Sequence, residues 1–351
     1  MTCLVHTLLS PVGVSYERMS ERLYDVSRSR YAPVLSAFAT GWLDELAARP
    51  DAVAVCLGRD GLAPFLAART LLRRHPRRFR GVHPRRVRLV YVSRPLARGA
   101  AADPAQAALL ARYLRDRGVP DGRPLLLVDV GIRGSIQDSL QRVSPGRAMA
   151  GRYLVLRRRS GDPNGACKRG FLAELDAAPR APLWIAPSWP PPPGWELGGT
   201  LRSGDALFLR RRTIHVLEDL WNGVGESAEG LQTSACGARI LVVRGRPAPV
   251  PVLTLAPSLP LPPERQAAVK RAALQGVVDG VAQSRPDATP DDVAGATRAF
   301  AAWVAALEGP ALADPADAHI LHTLVRPHPR AHAAVENRPA TADDGADDAD
   351  A

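Results

Sequence analysis

Leu125-Leu-Leu-Val-Asp-Val-Gly-Ile-Arg-Gly-Ser135 is the stretch on which the reading of this chain turns. Four aliphatic residues lead into one acid, Asp129, and then into a loop with glycines at 131 and 134. A short continuous aliphatic run suits a strand buried on both faces, as in a parallel sheet. The loop passes into a helix predicted over Ile136–Arg142, whose first turn presents free N–H groups and a partial positive charge. Glycine permits close backbone approach, Arg133 offers a planar cationic fork and Ser135 a hydroxyl. Together Gly131, Ile132, Arg133, Gly134 and Ser135 predict a cradle for a phosphate monoester. Neither a GxxxxGK[ST] nor a GxGxxG sequence occurs, which argues against a P-loop or dinucleotide fingerprint.

Working outward, the same grammar recurs. Ala52–Leu57 is a second apolar run; it ends in Gly58-Arg-Asp-Gly61 and opens into an amphipathic helix predicted over Leu62–Arg74. Val87–Val92 is a third, ending in Ser93-Arg94, with a helix predicted over Pro104–Arg117. Arg152–Leu156 is a fourth strand. Strands alternating with helices predict an α/β fold with a mostly parallel sheet and flanking helices. In such sheets ligands bind outside the carboxyl ends of the strands, and here three strands end in polar or glycine-bearing turns. The predicted organisation is a helical lead-in over 1–50, the α/β core over 51–178, a cap and C-terminal mixed or helical region over 179–329, and a disordered acidic tail over 330–351. In the third of these, residues 213–225 read as helix, Arg239–Arg244 as a strand, and 264–283 and 290–307 as helices. The tail carries many Asp and Ala residues and almost no large apolar ones.

Bulk properties narrow the classes. The formal net charge is +11, yet only Lys168 and Lys270 are lysines among 46 basic residues. With abundant Ala, Gly and Pro, that points to GC-rich coding as much as to a selected surface. No nucleic-acid module accompanies the charge, so a small polyanionic substrate is the expected partner rather than nucleic acid. Cys3, Cys56, Cys167 and Cys236 form no CxxC pair and suit small buried residues in a reducing compartment. With no signal-peptide pattern and no apolar run of about 18 residues, the expectation is a cytoplasmic protein without a membrane span.

Val128-Asp-Val-Gly-Ile-Arg-Gly-Ser-Ile-Gln137 resembles the ribose-phosphate loop of type I phosphoribosyltransferases. In that family an earlier strand-to-helix turn holds the pyrophosphate, and Gly58-Arg-Asp-Gly61 stands in the matching place. A basic residue after the next strand also contacts the pyrophosphate, a role Arg94 in Tyr91-Val-Ser-Arg94 fills. A closer resemblance, over about 30–285, is to a divergent bacterial group with F-L-x-R-D-G, Y-x-S-R and V-D-x-G-x-x-G-[ST]-x-Q patterns. His215-Val-Leu-Glu-Asp-Leu-Trp221 is similar to a Glu-centred helix in that group. The resemblance implies a Mg²⁺-dependent transferase that moves 5-phosphoribosyl from phosphoribosyl pyrophosphate (PRPP) to a small-molecule acceptor. An aminocyclitol or aminoglycoside hydroxyl in specialised metabolism, such as antibiotic biosynthesis, is a fitting acceptor. It implies the 5-phosphate on 132–135, the pyrophosphate on Arg59, Gly61 and Arg94, the metal at Asp60 and Asp129, and a general base at Asp60 or Glu218. One departure stands out: the family places two adjacent acids at the loop's start, and the second is Val130 here.

Two alternatives remain at this point. A haloacid-dehalogenase-like phosphatase needs Asp-x-Asp after its first strand, and Asp129-Val-Gly131 and Asp60-Gly61 both lack it. A non-catalytic phosphosugar-binding module is compatible with Val130. The histidines at 319, 322, 328 and 332 lie in a Pro-rich stretch, the arginines between 69 and 88 read as a solvated helix end and loop, and Trp184, Trp189 and Trp195 read as packing for the cap.

Overall fold

The computed structural model describes residues 16–58, 60–131, 133–157, 161–175, 217–221, 228–234, 240–244, 263–285, 287–308 and 317. The tryptophans of 184–195, the histidines of 319–332, Cys3, Cys236 and the acidic tail lie outside them.

Five strands make one sheet: β1 (Val53–Leu57), β2 (Val87–Val90), β3 (Leu125–Asp129), β4 (Met149–Arg157) and β5 (Lys168–Leu175). Their order is β2-β1-β3-β4-β5 and every pairing is parallel. The continuous aliphatic runs of β1 and β3 are buried at every position, as a sheet covered on both faces requires.

Strand alternation divides these side chains between two cores. Ala54, Cys56, Leu126 and Val128 face a layer built from α1 (Tyr16–Val26), α2 (Ala32–Ala47) and α3 (Leu62–Arg74). Val53, Val55, Leu125 and Leu127 face α4 (Arg94–Ala102), α5 (Pro104–Asp116) and α6 (Ser135–Val143). An antiparallel pair, β6 (Ala228–Thr233) and β7 (Ile240–Arg244), packs over α4 and α5.

Between α1 and α2 the helix widens into a π turn, Ser27–Tyr31, where Ala32 N–H reaches back five residues to the Ser27 carbonyl. Pro33 has no N–H to give, and the π turn lies directly before it in this continuous helical run. Two further helices, α7 (Pro263–Gln283) and α8 (Pro290–Glu308), join the lead-in layer. Val269, Ala273, Val277 and Val281 of α7 lie in the same core as Leu23, Leu35 and Cys56.

The fold class is as expected, and several elements differ in detail. The second strand stops at Val90, two residues short, and Ser93 then caps a helix, α4, where no element was expected. β5 and β6 were not anticipated. Of the stretch 213–225, residues 217–221 are described, and 217–220 are helical. Cys56 and Cys167 are buried free thiols, and no helix among the described residues is long and apolar enough to cross a membrane.

Candidate active site

The strand order reverses direction between β1 and β3, so the helices that follow these two strands leave on opposite faces. In doubly wound sheets such a switch point is where a crevice opens at the strands' carboxyl ends and ligands bind. Both flanks of that crevice are the glycine-bearing turns singled out in the sequence.

On the β1 side, Gly58 takes a left-handed φ of +49° and its N–H bonds the Val90 carbonyl at 2.5 Å. Gly61 then caps α3, with its N–H on the Leu57 carbonyl at 2.9 Å. A Cβ there would lie 2.6 Å from the Leu57 nitrogen, so only glycine lets the strand fold back into the helix. Asp60 is half-buried, and Arg59 lies outside the described residues.

On the β3 side, Asp129 closes the strand and Gly131 follows; a Cβ on Gly131 would sit 2.5 Å from Asp129 Oδ2. Gly134, at φ +62°, caps α6. Arg133 and Ser135 are half-buried on this loop, and Ile132 lies outside the described residues.

The helix ends differ in one telling way. The helices α4, α5 and α8 receive side-chain caps from Ser93, Asp103 and Thr289. The N-termini of α3 and α6, which flank the crevice, have glycine caps and no capping side chain. Helix-end amides left without a side-chain acceptor are an anion site, and two such ends open on one edge of the sheet.

Asp129 lies between them, only 8% exposed. Burial pushes its carboxyl well above the usual carboxylate range, and the negative charges of Asp60 and Glu218 push it further; hydrogen bonds from the Val130 and Gly131 amides oppose this. Its Oδ1 has no hydrogen-bond partner. A buried carboxylate oxygen without a donor is a costly arrangement that a cation or hydroxyl ligand relieves.

Glu218 comes to this field from far along the chain. Its helical turn is anchored by Trp221, three residues on, whose indole N–H donates to Ser27 Oγ at 2.7 Å. The Trp221 ring packs on Tyr31 at 4.1 Å, and on Phe300 and Trp303. Tyr31 is fully buried, its hydroxyl has no partner, and the charge of Asp60 adds to the burial that raises its pKa. The π turn thus carries the Tyr31 side of the crevice wall.

The charges of Asp60 and Glu218 thus both act on Asp129. Arg94 lies one strand further out, exposed at the first position of α4. Val130 is buried in the core against α1–α3, and its carbonyl accepts from Val155 N–H at 3.2 Å. An acid at that position would be buried in that core.

Three residues beneath the loop went unassigned in the sequence. Tyr153, paired in register with Asp129, donates from its hydroxyl to Gln137 Oε1 at 2.9 Å. Lys168 is wholly buried among Asp138 and Asp162. The signal for Lys168 was its type, since almost every other basic residue in the chain is arginine.

Among the described residues no three His, Cys, Asp or Glu side chains converge closely enough to hold a metal by themselves. No family model matches the chain, and no curated protein matches it either.

Proposed function

We propose that this chain is a Mg²⁺-dependent phosphoribosyltransferase that uses PRPP and a small-molecule acceptor. One observation carries the reading: two helix N-termini without side-chain caps flank the β1/β3 crevice, with a buried, partly unsatisfied carboxylate between them. PRPP has the matching layout, an anionic group at each end of a polyhydroxylated ring.

On this reading the 5-phosphate lies on the loop 131–135 and the α6 terminus, held by Arg133, Ser135 and backbone amides. The pyrophosphate lies on the Gly58–Gly61 turn with Arg59 and Arg94. Asp129 faces the ribose hydroxyls. Mg²⁺, when bound, offsets charge on the pyrophosphate, and Asp60 and Asp129 are the residues that would hold it. The C1–oxygen bond to pyrophosphate breaks, the bond from C1 to the acceptor heteroatom forms, and the acceptor's proton passes to Asp60 or Glu218. The helix ends stabilise the departing charge without reorganising. A field of three carboxylates also favours an acceptor bearing amines, such as an aminocyclitol or aminoglycoside.

Calorimetric titration with PRPP and Mg²⁺ tests the binding step, and pyrophosphate release with a panel of aminocyclitol acceptors tests the transfer. Metal-dependent PRPP binding that Asp129→Asn abolishes supports the reading. No PRPP binding by the wild-type chain would overturn it, and binding without transfer to any acceptor leaves the phosphosugar-binding module in its place.

A further inference from the structure

Lys168 opens β5, two strands away from the crevice, and its side chain is completely buried. A lysine is rarely held so deeply unless its charge is matched and its donors are used. Here Nζ donates to Asp138 Oδ1 at 2.7 Å and to Asp162 Oδ2 at 2.8 Å. Nζ also reaches Asp162 Oδ1 at 3.0 Å and the Arg133 carbonyl at 3.5 Å. Asn164 fastens the same cluster, with Nδ2 on Asp138 Oδ1 at 2.8 Å and its own N–H on Asp162 Oδ1 at 3.0 Å.

Asp138 stands in the first turn of α6, and Arg133 and Gly134 form the loop before it. The Lys168 stem runs directly beneath Gly134: a Cβ added at 134 would lie 2.9 Å from Lys168 Cε and 2.8 Å from the Tyr153 hydroxyl. Gly134 is therefore glycine for two reasons, its positive φ and the lysine under it. The ammonium is committed to two carboxylates and a carbonyl, so it is not itself a phosphate ligand. Without it, two buried carboxylates would stand uncompensated under a loop whose task is to hold an anion.

We infer that Lys168 is a positioning residue: from below, it fixes the Arg133–Gly134 peptide and the first turn of α6 in their anion-holding geometry. The inference rests on the phosphoribosyl reading of the crevice and assigns to one end of it a support that the other end does not share.

The test uses two probes on the full chain: ribose 5-phosphate for the α6 side, and inorganic pyrophosphate with Mg²⁺ for the α3 side. The double variant Lys168→Met/Asp162→Asn removes one charge of each sign and leaves Asp138 its bond from Asn164. Lys168→Arg keeps the charge but changes its shape, and serves should the double variant not fold. Supporting residues of this kind typically matter by about 10–100-fold, so the dissociation constant for ribose 5-phosphate should rise at least about tenfold while that for pyrophosphate stays within about twofold. Equal losses for both probes, or a lowered melting temperature with ribose 5-phosphate binding intact, overturn the inference and leave Lys168 a purely structural group. A wild-type chain that binds neither probe overturns the phosphoribosyl reading and any ligand-positioning role with it.

Discussion

Asp129 is held in an environment that disfavours its charge, and the consequence for stability has a definite sign. Its folded-state pKa is raised, by burial first and then by Asp60 and Glu218. As pH climbs through the ordinary carboxylate range near about 4, the unfolded chain loses this proton while the folded chain keeps it, so stability from this group is full at low pH and declines as pH rises. Asp129→Asn removes the penalty. The variant should melt higher than wild type at neutral pH, by about 2–4 °C for a gain of about 1 kcal/mol, with the gap closing toward pH 4 in a series of thermal melts. PRPP binding should be lost at the same time. A lower melting temperature at neutral pH would show that Asp129 is a structural carboxylate. Two glycines make a matched pair beside it. Gly61→Ala drives a Cβ into the Leu57 backbone, which cannot yield, and should cost about 1–3 kcal/mol in denaturant titration. Gly131→Ala meets only the tip of the Asp129 side chain, so ligand affinity should fall more than stability. These residues were legible in the sequence because each follows an apolar run and breaks it. Gln137, Tyr153 and Lys168 were not, because what they do depends on the register of β3, β4 and β5.

Among the contacts that join elements, one fully buried ion pair ties the middle of the sheet to α2. Arg152 of β4 forms a two-pronged pair with Glu45 of α2, Nε to Oε2 at 2.7 Å and Nη2 to Oε1 at 2.5 Å. Both side chains are at most 3% exposed. Removing one partner strands the other charge, so Glu45→Gln should cost about 3–5 kcal/mol, whereas Glu45→Leu/Arg152→Met should recover most of that. Equilibrium unfolding in urea measures both, and a single variant as stable as wild type would show that the pair does not hold α2 to the sheet. The helices α3, α5, α6, α7 and α8 were readable from their apolar spacing and end signals. The helix α4 was hidden, because it is short and carries Pro95 and Gly99, and its start shows only in the cap from Ser93. The strand β5 was hidden as well, since Lys168-Arg169-Gly170 looks polar; Lys168 is buried through its ion pairs, and the stretch is held by its pairing with β4.

At the scale of the whole molecule, the chain closes on itself through glycine contacts that no local pattern announces. Gly276 and Gly280 lie one helical turn apart on α7, and side chains there would run into the Tyr24 and Arg28 carbonyls of the lead-in. This close approach seats α7 against α1 and the π turn, and α8 completes the wall with Phe300 and Trp303. Trp221 packs into the same wall and holds Glu218 in the field of Asp129. The lead-in, the sheet, α7 and α8 thus share one core, although the lead-in ends at Ala47 and α7 begins only at Pro263. Unfolding of this body should be a single cooperative event. In scanning calorimetry the wild-type chain should show one transition for it. Gly276→Val/Gly280→Val should lower that whole transition rather than split off a part, because a loosened α7 uncovers apolar side chains of the sheet-facing layer. Each substitution adds bulk against backbone, which costs about 1–3 kcal/mol, and the two together should lower the melting temperature by about 4–20 °C. Glu218 loses its support in the same step, so PRPP-dependent turnover should fall even at temperatures where the variant is folded. Two transitions in the wild type, with only one of them moved by the substitutions, would instead make 263–308 an independent domain and leave the crevice to the sheet alone.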